Sequence, residues 1–195
     1  MRVIGFAGNM GSGKSTAAKL IGSEFTNQGL EVRYLAFAES LKKSVCALFN
    51  IEPAELEKLK SSNSPCITLN EKSYTMREFL QRYGTEAHRH IFGDDFWIKQ
   101  LLNQIANFYN NIDLIIIDDI RFENEVNALR SMTCHVEDKT LIFYIKRPSD
   151  NDKNQFKTHS SEELNYEELE LPIILNNGNL NDLKHQILTQ IQSSL

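Results

Sequence analysis

The chain has 195 residues, of which 41% are hydrophobic and 24% charged, with a formal net charge of −5. That hydrophobic content can bury one sizeable core, which excludes a disordered chain, and the charge excludes the basic excess that a sequence-independent nucleic-acid binder needs. No apolar run approaches the roughly 18 residues of a membrane span, and MRVIGFAGNMGSGK reaches glycine too soon for a signal peptide, so a cytoplasmic protein is expected.

Apolar runs rich in β-branched and aromatic residues occur at Val3 to Ala7, Val32 to Ala38, Leu114 to Ile117, Leu141 to Ile145 and Ile173 to Leu175. They predict buried strands, and the helix-length segments between them predict an α/β fold whose parallel sheet is covered on both faces. The first run leads straight into Gly8-Asn9-Met10-Gly11-Ser12-Gly13-Lys14-Ser15, a full G-x-x-x-x-G-K-[ST] match, and the helical stretch Thr16 to Phe25 follows. Strand, glycine-rich loop and helix in that order form a phosphate cradle, because successive N–H groups curl toward an anion at the positive end of the helix. Gly8, Gly11, Ser12, Gly13, Lys14, Ser15 and Thr16 are therefore the expected nucleotide-binding residues. Lys14 is expected to reach the β- and γ-phosphates, and the Ser15 hydroxyl to ligate Mg²⁺.

The second strand is followed by far more chain than a crossover needs. Residues 39–112 are read as an insertion into a core of residues 1–38 and 113–195, with no internal repeat. Inside it, Lys60 to Tyr74 is polar and turn-rich, a loop or small hairpin. Thr75 to Phe92 reads as one amphipathic helix, since Met76, Phe79, Leu80, Tyr83, Ala87 and Ile91 share an arc at about 100° per residue. Arg77, Gln81 and His88 lie on its polar side, with Arg82 and Arg89 on the flank. Taken alone these arginines read as a solvated face. A phosphate-transferring enzyme needs a second anion site, however, and this insertion is the part of the chain large enough to build one. His88 and His90 have no acid or thiol at a matching spacing and read as surface or core residues. Asp95 to Tyr109 predicts a further helix that buries Trp97, Leu101, Leu102, Ile105 and Phe108.

Next comes Leu114-Ile115-Ile116-Ile117-Asp118-Asp119, a buried strand ending in two acids. Asp118, directly after the apolar run, is the first choice for the Mg²⁺ shell, and strand alternation would turn Asp119 to the other face, toward an acceptor. The pair could instead simply end the strand and cap the next helix. Arg121 stands at the carboxyl end of the sheet, where ligands bind in open α/β folds; it forks onto a phosphate or pairs with Glu125 or Asp118. Residues 147–171 are polar and charged, with Arg147, Lys153, Lys157 and His159-Ser160-Ser161-Glu162, and read as a cation-bearing lid or as a polar loop. Arg147 directly follows a strand and is the best single cation of this stretch for the transferred group. A last helix, Leu180 to Ile191, turns Leu183, Ile187, Leu188 and Ile191 inward. The three cysteines, Cys46, Cys66 and Cys134, suit neither a disulfide framework nor a zinc site.

The succession GNMGSGKST, FAESLK, TMREFLQRYGTEAHRHIFGDDFW, IIIDDIRFENE and HSSE resembles the phage-type deoxynucleoside monophosphate kinases, from about Met1 to Glu163. The resemblance implies an adenylate-kinase-like fold with five parallel strands in the order 2-3-1-4-5, an acceptor-binding arm and a lid. It also implies transfer of the ATP γ-phosphoryl group to a deoxynucleoside monophosphate. Matched residue by residue, it places the acceptor at Arg77, Gln81 and Arg89 of the arm, and it matches Asp118, Asp119 and Arg121 to the strand-tip motif. One departure stands out: Glu39-Ser40-Leu41-Lys42 replaces the family's usual Asp and Pro before the Leu-Lys pair.

The expectation is a single kinase domain of residues 1–195 that uses ATP and Mg²⁺. Lys14, Asp118, Arg121 and Arg147 would serve transfer, and the partner would be a small nucleotide rather than nucleic acid or membrane. A P-loop kinase of another small molecule, such as dephospho-coenzyme A, is the alternative. A GTP switch ranks lower, because neither Asn70-Glu71-Lys72 nor Asn151-Asp152-Lys153-Asn154 supplies the N-K-x-D guanine motif.

Overall fold

The apolar runs around Ile4 and Ile116 become the middle of a parallel sheet in the computed structural model, which describes residues 1–108, 111–132, 139–148 and 164–194. The chain divides into two units, Met1–Ala36 with Gln104–Leu195, and Phe37–Asn103.

In the first unit β1 (Arg2–Ala7) pairs with β5 (Leu114–Ile120) on one side and β6 (Lys139–Lys146) on the other. Outside these lie β2 (Val32–Leu35) against β5, and β7 (Ile173–Leu175) against β6. The order β2-β5-β1-β6-β7 differs in numbering from the expected 2-3-1-4-5, because a strand pair in the second unit also takes numbers. The central strands are buried on both faces, which is why their sequences are continuous apolar runs rather than alternating ones. On one face Ile4, Phe6, Ile116 and Phe143 join Ala17, Ile21 and Phe25 of α1 (Lys14–Asn27) and Leu183, Ile187 and Ile191 of α8 (Leu180–Ser194). Val3, Ile115, Ile117 and Ile142 are buried as well, as are Val126 and Leu129 of α7 (Glu123–Arg130). β2 ends at Leu35, short of the predicted Ala38, whereas β5 runs three residues beyond the predicted Ile117.

The second unit contains α2 (Glu39–Phe49), α3 (Pro53–Ser61), β3 (Ile67–Leu69), β4 (Lys72–Tyr74) and α4 (Met76–Gly84). A π-helical turn (Thr85–Arg89), the short α5 (His90–Phe92) and most of α6 (Phe96–Phe108) complete it. Val45, Leu56, Ile67, Met76 and Leu80 form its core, with Phe79 and Tyr83 packed against them. The polar stretch before Tyr74 is a hairpin whose two-residue turn, Asn70-Glu71, has φ of 49° and 63°, the left-handed conformations that suit the strand twist. α4 starts in a capping box: the Thr75 hydroxyl accepts from the Glu78 N–H at 3.2 Å, and the Glu78 carboxylate accepts from the Thr75 N–H at 2.8 Å.

The helix predicted over Thr75 to Phe92 is interrupted after Gly84. The wider π turn rotates all that follows away from the 100° arc, and Ile91, predicted to point inward, is 68% exposed. Two side chains hold the turn: His88 Nδ1–H donates to the Tyr83 carbonyl at 2.6 Å, and Trp97 Nε1–H to that of Gly84 at 3.0 Å. α6 buries Trp97, Leu101 and Ile105 as predicted, and Ile98 in addition, while Leu102 and Phe108 are half-buried. Among the described residues no helix is long and apolar enough to cross a membrane.

Candidate active site

The loop between β1 and α1 is shaped by where a side chain would not fit. Gly8 has φ of 138°, and a Cβ there would collide with the Ile145 carbonyl of β6 and lie 2.9 Å from Ser12 Oγ. Gly13 has φ of 107° and caps α1 with no side-chain hydrogen bond and no acid in the first turn. No capping side chain therefore competes with an anion at the positive end of α1. Lys14 Nζ donates to the carbonyls of Gly8 at 2.7 Å and Asn9 at 2.8 Å, which fixes the ammonium across the curl of the loop. Ser12 is fully buried, and its hydroxyl has no hydrogen-bond partner among the described residues. A buried polar group in that state is costly, and a phosphate oxygen is the kind of acceptor that relieves it. Ser15 and Thr16 are exposed on the first turn of α1. The predicted nucleotide-binding residues therefore share one loop and one helix start.

At the carboxyl end of β5 the structure corrects the reading of the acids. Asp118 and Asp119 lie inside the strand, not after it, and they sit at a bulge. β1 pairs Gly5 with Ile117 and Ala7 with Ile120, so one residue, Phe6, spans the same step as the two acids. The simple alternation used to send Asp119 to the opposite face does not hold across such a bulge. Both acids are half-buried. Arg121 is exposed, and its contact with Glu125 runs through the backbone: the Glu125 carboxylate accepts the N–H groups of Arg121 at 2.8 Å and Phe122 at 3.1 Å. Only 2% of Glu125 is exposed, so this capping carboxylate fixes the turn that presents the Arg121 guanidinium to solvent.

The ends of β6 and β7 border the same loop. Arg147, just after β6, has its Nη2 3.8 Å from where a Cβ on Gly13 would stand. Tyr144 donates its hydroxyl to Asn9 Oδ1 at 3.2 Å, and Asn176, just after β7, donates from Nδ2 to the Ser12 carbonyl at 2.8 Å. Sequence reasoning missed both. Tyr144 reads as one more aromatic in a strand, Asn176 as the first polar residue after one, and their partners lie 135 and 164 residues away. Of the predicted lid, Lys153, Lys157 and His159 to Glu162 lie outside the described residues, as does Cys134. Its last part, 164–171, is pinned down: Tyr166 stacks on Tyr144 at 4.1 Å, Arg130 Nη2 donates to the Leu169 carbonyl at 2.8 Å, and Leu169 and Leu171 are buried.

In the second unit Arg77 is exposed on the first turn of α4, Gln81 is half-buried on its last, and Arg89 is half-buried at the end of the π turn. Arg82 is a surface residue, bound to Glu86 at 2.9 Å and to the Tyr74 hydroxyl at 3.1 Å; the Glu86 carboxylate raises the guanidinium pKa further above its ordinary value. His88 packs among Tyr83, Trp97 and Phe96 with ring centroids 4.5, 4.9 and 5.2 Å away, a structural placement. Glu39, in the stretch that departs from the family pattern, pairs with Lys43 at 2.6 Å. No three His, Cys, Asp or Glu side chains converge as a metal site among the described residues.

A five-stranded parallel sheet with a phosphate loop between β1 and α1, and acids near the carboxyl end of the strand beside β1, defines a P-loop nucleotide-binding fold. The hexameric APS kinase of Thiobacillus denitrificans shares this fold at a TM-score of 0.51 and 15% identity; the match takes in 99% of this chain and 29% of that one. An APS kinase from Mycobacterium tuberculosis superposes with a TM-score of 0.48 and 9% identity, over 98% of this chain and 96% of that one. Comparison with curated proteins finds no match. The family model for deoxynucleotide monophosphate kinase matches residues 51–187, more than half of the chain. The chain belongs to the deoxynucleotide monophosphate kinase family. Because the match begins downstream of Ser15, the family assignment and the phosphate loop are independent findings.

Proposed function

We propose that the protein transfers the γ-phosphoryl group of ATP to a deoxynucleoside monophosphate, giving ADP and the deoxynucleoside diphosphate for DNA synthesis. An oxygen of the acceptor phosphate attacks the γ-phosphorus, and the bond to the β,γ-bridging oxygen breaks. The acceptor is already a nucleophile, so the protein's work is positioning and charge stabilisation rather than general-base chemistry. The observation that carries this reading is the phosphate loop itself, with no side-chain cap on α1, a buried Ser12 hydroxyl that has no partner among the described residues and the Lys14 ammonium in one turn of chain, in a protein of this family.

In this reading Gly8, Gly11, Ser12, Gly13 and Thr16 cradle the donor phosphates, and Lys14 and Arg147 offset the charge that spreads over the moving group. Arg77, Gln81, Arg89, Asp119 and Arg121 hold the acceptor. The Ser15 hydroxyl and the Asp118 carboxylate are oxygen donors of the kind a hard cation takes, and they would hold Mg²⁺ together with the nucleotide. When bound, that ion supplies charge neutralisation to the β- and γ-oxygens. Residues 1–195 act as one kinase domain, with 39–112 as the acceptor arm and 147–171 as the lid, working in the cytoplasm where the nucleotide pools are, the host cytoplasm if the gene is a phage's. A coupled assay over ribo- and deoxynucleoside monophosphates, with dephospho-coenzyme A included, tests the reading. One or more deoxynucleoside monophosphates should be phosphorylated fastest; turnover confined to dephospho-coenzyme A would overturn it.

A further inference from the structure

We infer that Asn176 is a positioning residue of the donor site, an amide at the end of β7 that holds the phosphate loop in its anion-accepting form. A loop binds phosphate through backbone N–H groups only if they converge, and convergence turns the carbonyls of the same peptides outward. An outward carbonyl that is partly buried needs a donor, or the peptide will rotate to find one. The Ser12 carbonyl has such a donor in Asn176 Nδ2, at 2.8 Å.

Asn176 is itself held by two elements. It directly follows β7, whose Leu175 pairs with Lys146 of β6, and its own N–H donates to the Lys146 carbonyl at 2.8 Å. The amide group therefore has a fixed origin, and its half-buried side chain reaches from the sheet edge to the loop. Gly13 completes the fit. A Cβ on Gly13 would collide with Asn176 Nδ2, so the glycine before Lys14 serves the approach of this amide as well as its own positive φ. Tyr144 makes the matching contact at the start of the loop through Asn9 Oδ1. Both ends of the loop are thus fastened to the carboxyl edge of β6 and β7, and Asn176 fastens the end nearer the Lys14 and Ser15 side chains.

The inference rests on the donor-site reading above, and the experiment separates the two. Asn176→Ala removes the amide, and Asn176→Leu removes it at nearly constant volume. Each is measured for binding of a non-hydrolysable ATP analogue, for KM of ATP and of the deoxynucleoside monophosphate, and for thermal melting, with Lys14→Ala alongside. Loss of one well-placed hydrogen bond should raise the analogue Kd and the ATP KM about tenfold, while the acceptor KM and the melting temperature stay near wild type. Unchanged analogue binding in both Asn176 variants overturns the proposal, as does a parallel rise in donor and acceptor KM. A steep loss of melting temperature in both variants makes Asn176 a residue of the fold and overturns it as well. If Lys14→Ala also keeps wild-type turnover, the donor-site reading has failed; if Lys14→Ala loses turnover while both Asn176 variants bind the analogue as wild type does, the inference alone has failed.

Discussion

The glycine-rich loop of the first unit and the arm helix of the second, proposed above as donor and acceptor sites, are held in different ways. In the loop the proposed binding groups belong to the backbone, and residues remote in sequence fasten it, Tyr144 on Asn9 and Asn176 on Ser12, while Lys14 folds back onto the Gly8 and Asn9 carbonyls. In the arm the proposed binding groups are the tips of long side chains, Arg77 and Gln81 on α4 and Arg89 at the end of the π turn. A backbone site is rigid because its atoms cannot be placed differently without breaking secondary structure. A side-chain site can be retuned one residue at a time. Substitutions in the loop should therefore act on turnover with any acceptor, and those in the arm on acceptor affinity alone.

The largest expected effect follows from Lys14→Ala. Turnover should fall about 100- to 1,000-fold or more, because a charge that acts mainly on the transition state is worth several kcal/mol. The melting temperature should barely move, since the hydrogen bonds of Lys14 to the Gly8 and Asn9 carbonyls lie within the loop and not in the core. A variant that keeps most of its activity would remove the contrast between loop and arm. Next in size is Asp118→Asn, which keeps shape and removes charge; its activity should drop and recover in part as Mg²⁺ is raised. A loss that no metal concentration relieves would mean that Asp118 serves the bulge in β5 rather than the ion.

How much of this was legible in the sequence divides along the same line. The phosphate loop could be read because G-x-x-x-x-G-K-S encodes a backbone path, and each of its glycines has a reason within the loop or just beyond it. The central sheet strands could be read because burial on both faces writes continuous apolar runs such as Leu114 to Ile117, while the edge strands β2 and β7 are largely exposed and stood out only by their β-branched and aromatic residues. Reading stopped where chemistry and geometry part. Two consecutive acids looked like the end of a strand, and the bulge that keeps Asp118 and Asp119 inside β5 leaves no mark of its own. TEAHR contains no helix breaker, so the π turn that exposes Ile91 could not be seen in a 100° plot. Asn176 could not be found at all, because what it does depends on a partner 164 residues away.

A moderate effect is expected in the arm. Arg77→Lys and Arg89→Lys keep the charge and lose the two-pronged guanidinium, so each should raise the monophosphate KM about three- to tenfold and leave the ATP KM close to wild type. If the lost guanidinium contacts are ones that tighten during transfer, kcat falls as well. If both variants match wild type with every monophosphate, the acceptor is held by Arg121 and the polar segment after β6.

The smallest effect tests whether the arm depends on how α4 begins. Glu78 accepts the Thr75 N–H at 2.8 Å and the Thr75 hydroxyl at 2.9 Å. These bonds, the backbone one first, hold its carboxyl below the ordinary carboxylate range. A group whose pKa is lower folded than unfolded stabilises the fold above its unfolded pKa, and that contribution is lost as pH falls through its folded pKa. Glu78→Gln keeps an acceptor at the same place without titrating. Wild type should therefore melt slightly higher than Glu78→Gln at neutral pH, with the gap constant down to about pH 5 and closing below about pH 4.3. Thr75→Ala removes the cap itself and should cost about 1 kcal/mol at neutral pH. Arg77 sits one turn or less from this cap, so fraying there should raise the acceptor KM of Thr75→Ala about twofold while the ATP KM does not change. A melting gap that stays flat down to pH 3 would show that the Glu78 charge adds nothing to the cap, and a Thr75→Ala variant whose acceptor KM matches wild type would show that the start of α4 and the acceptor site are independent.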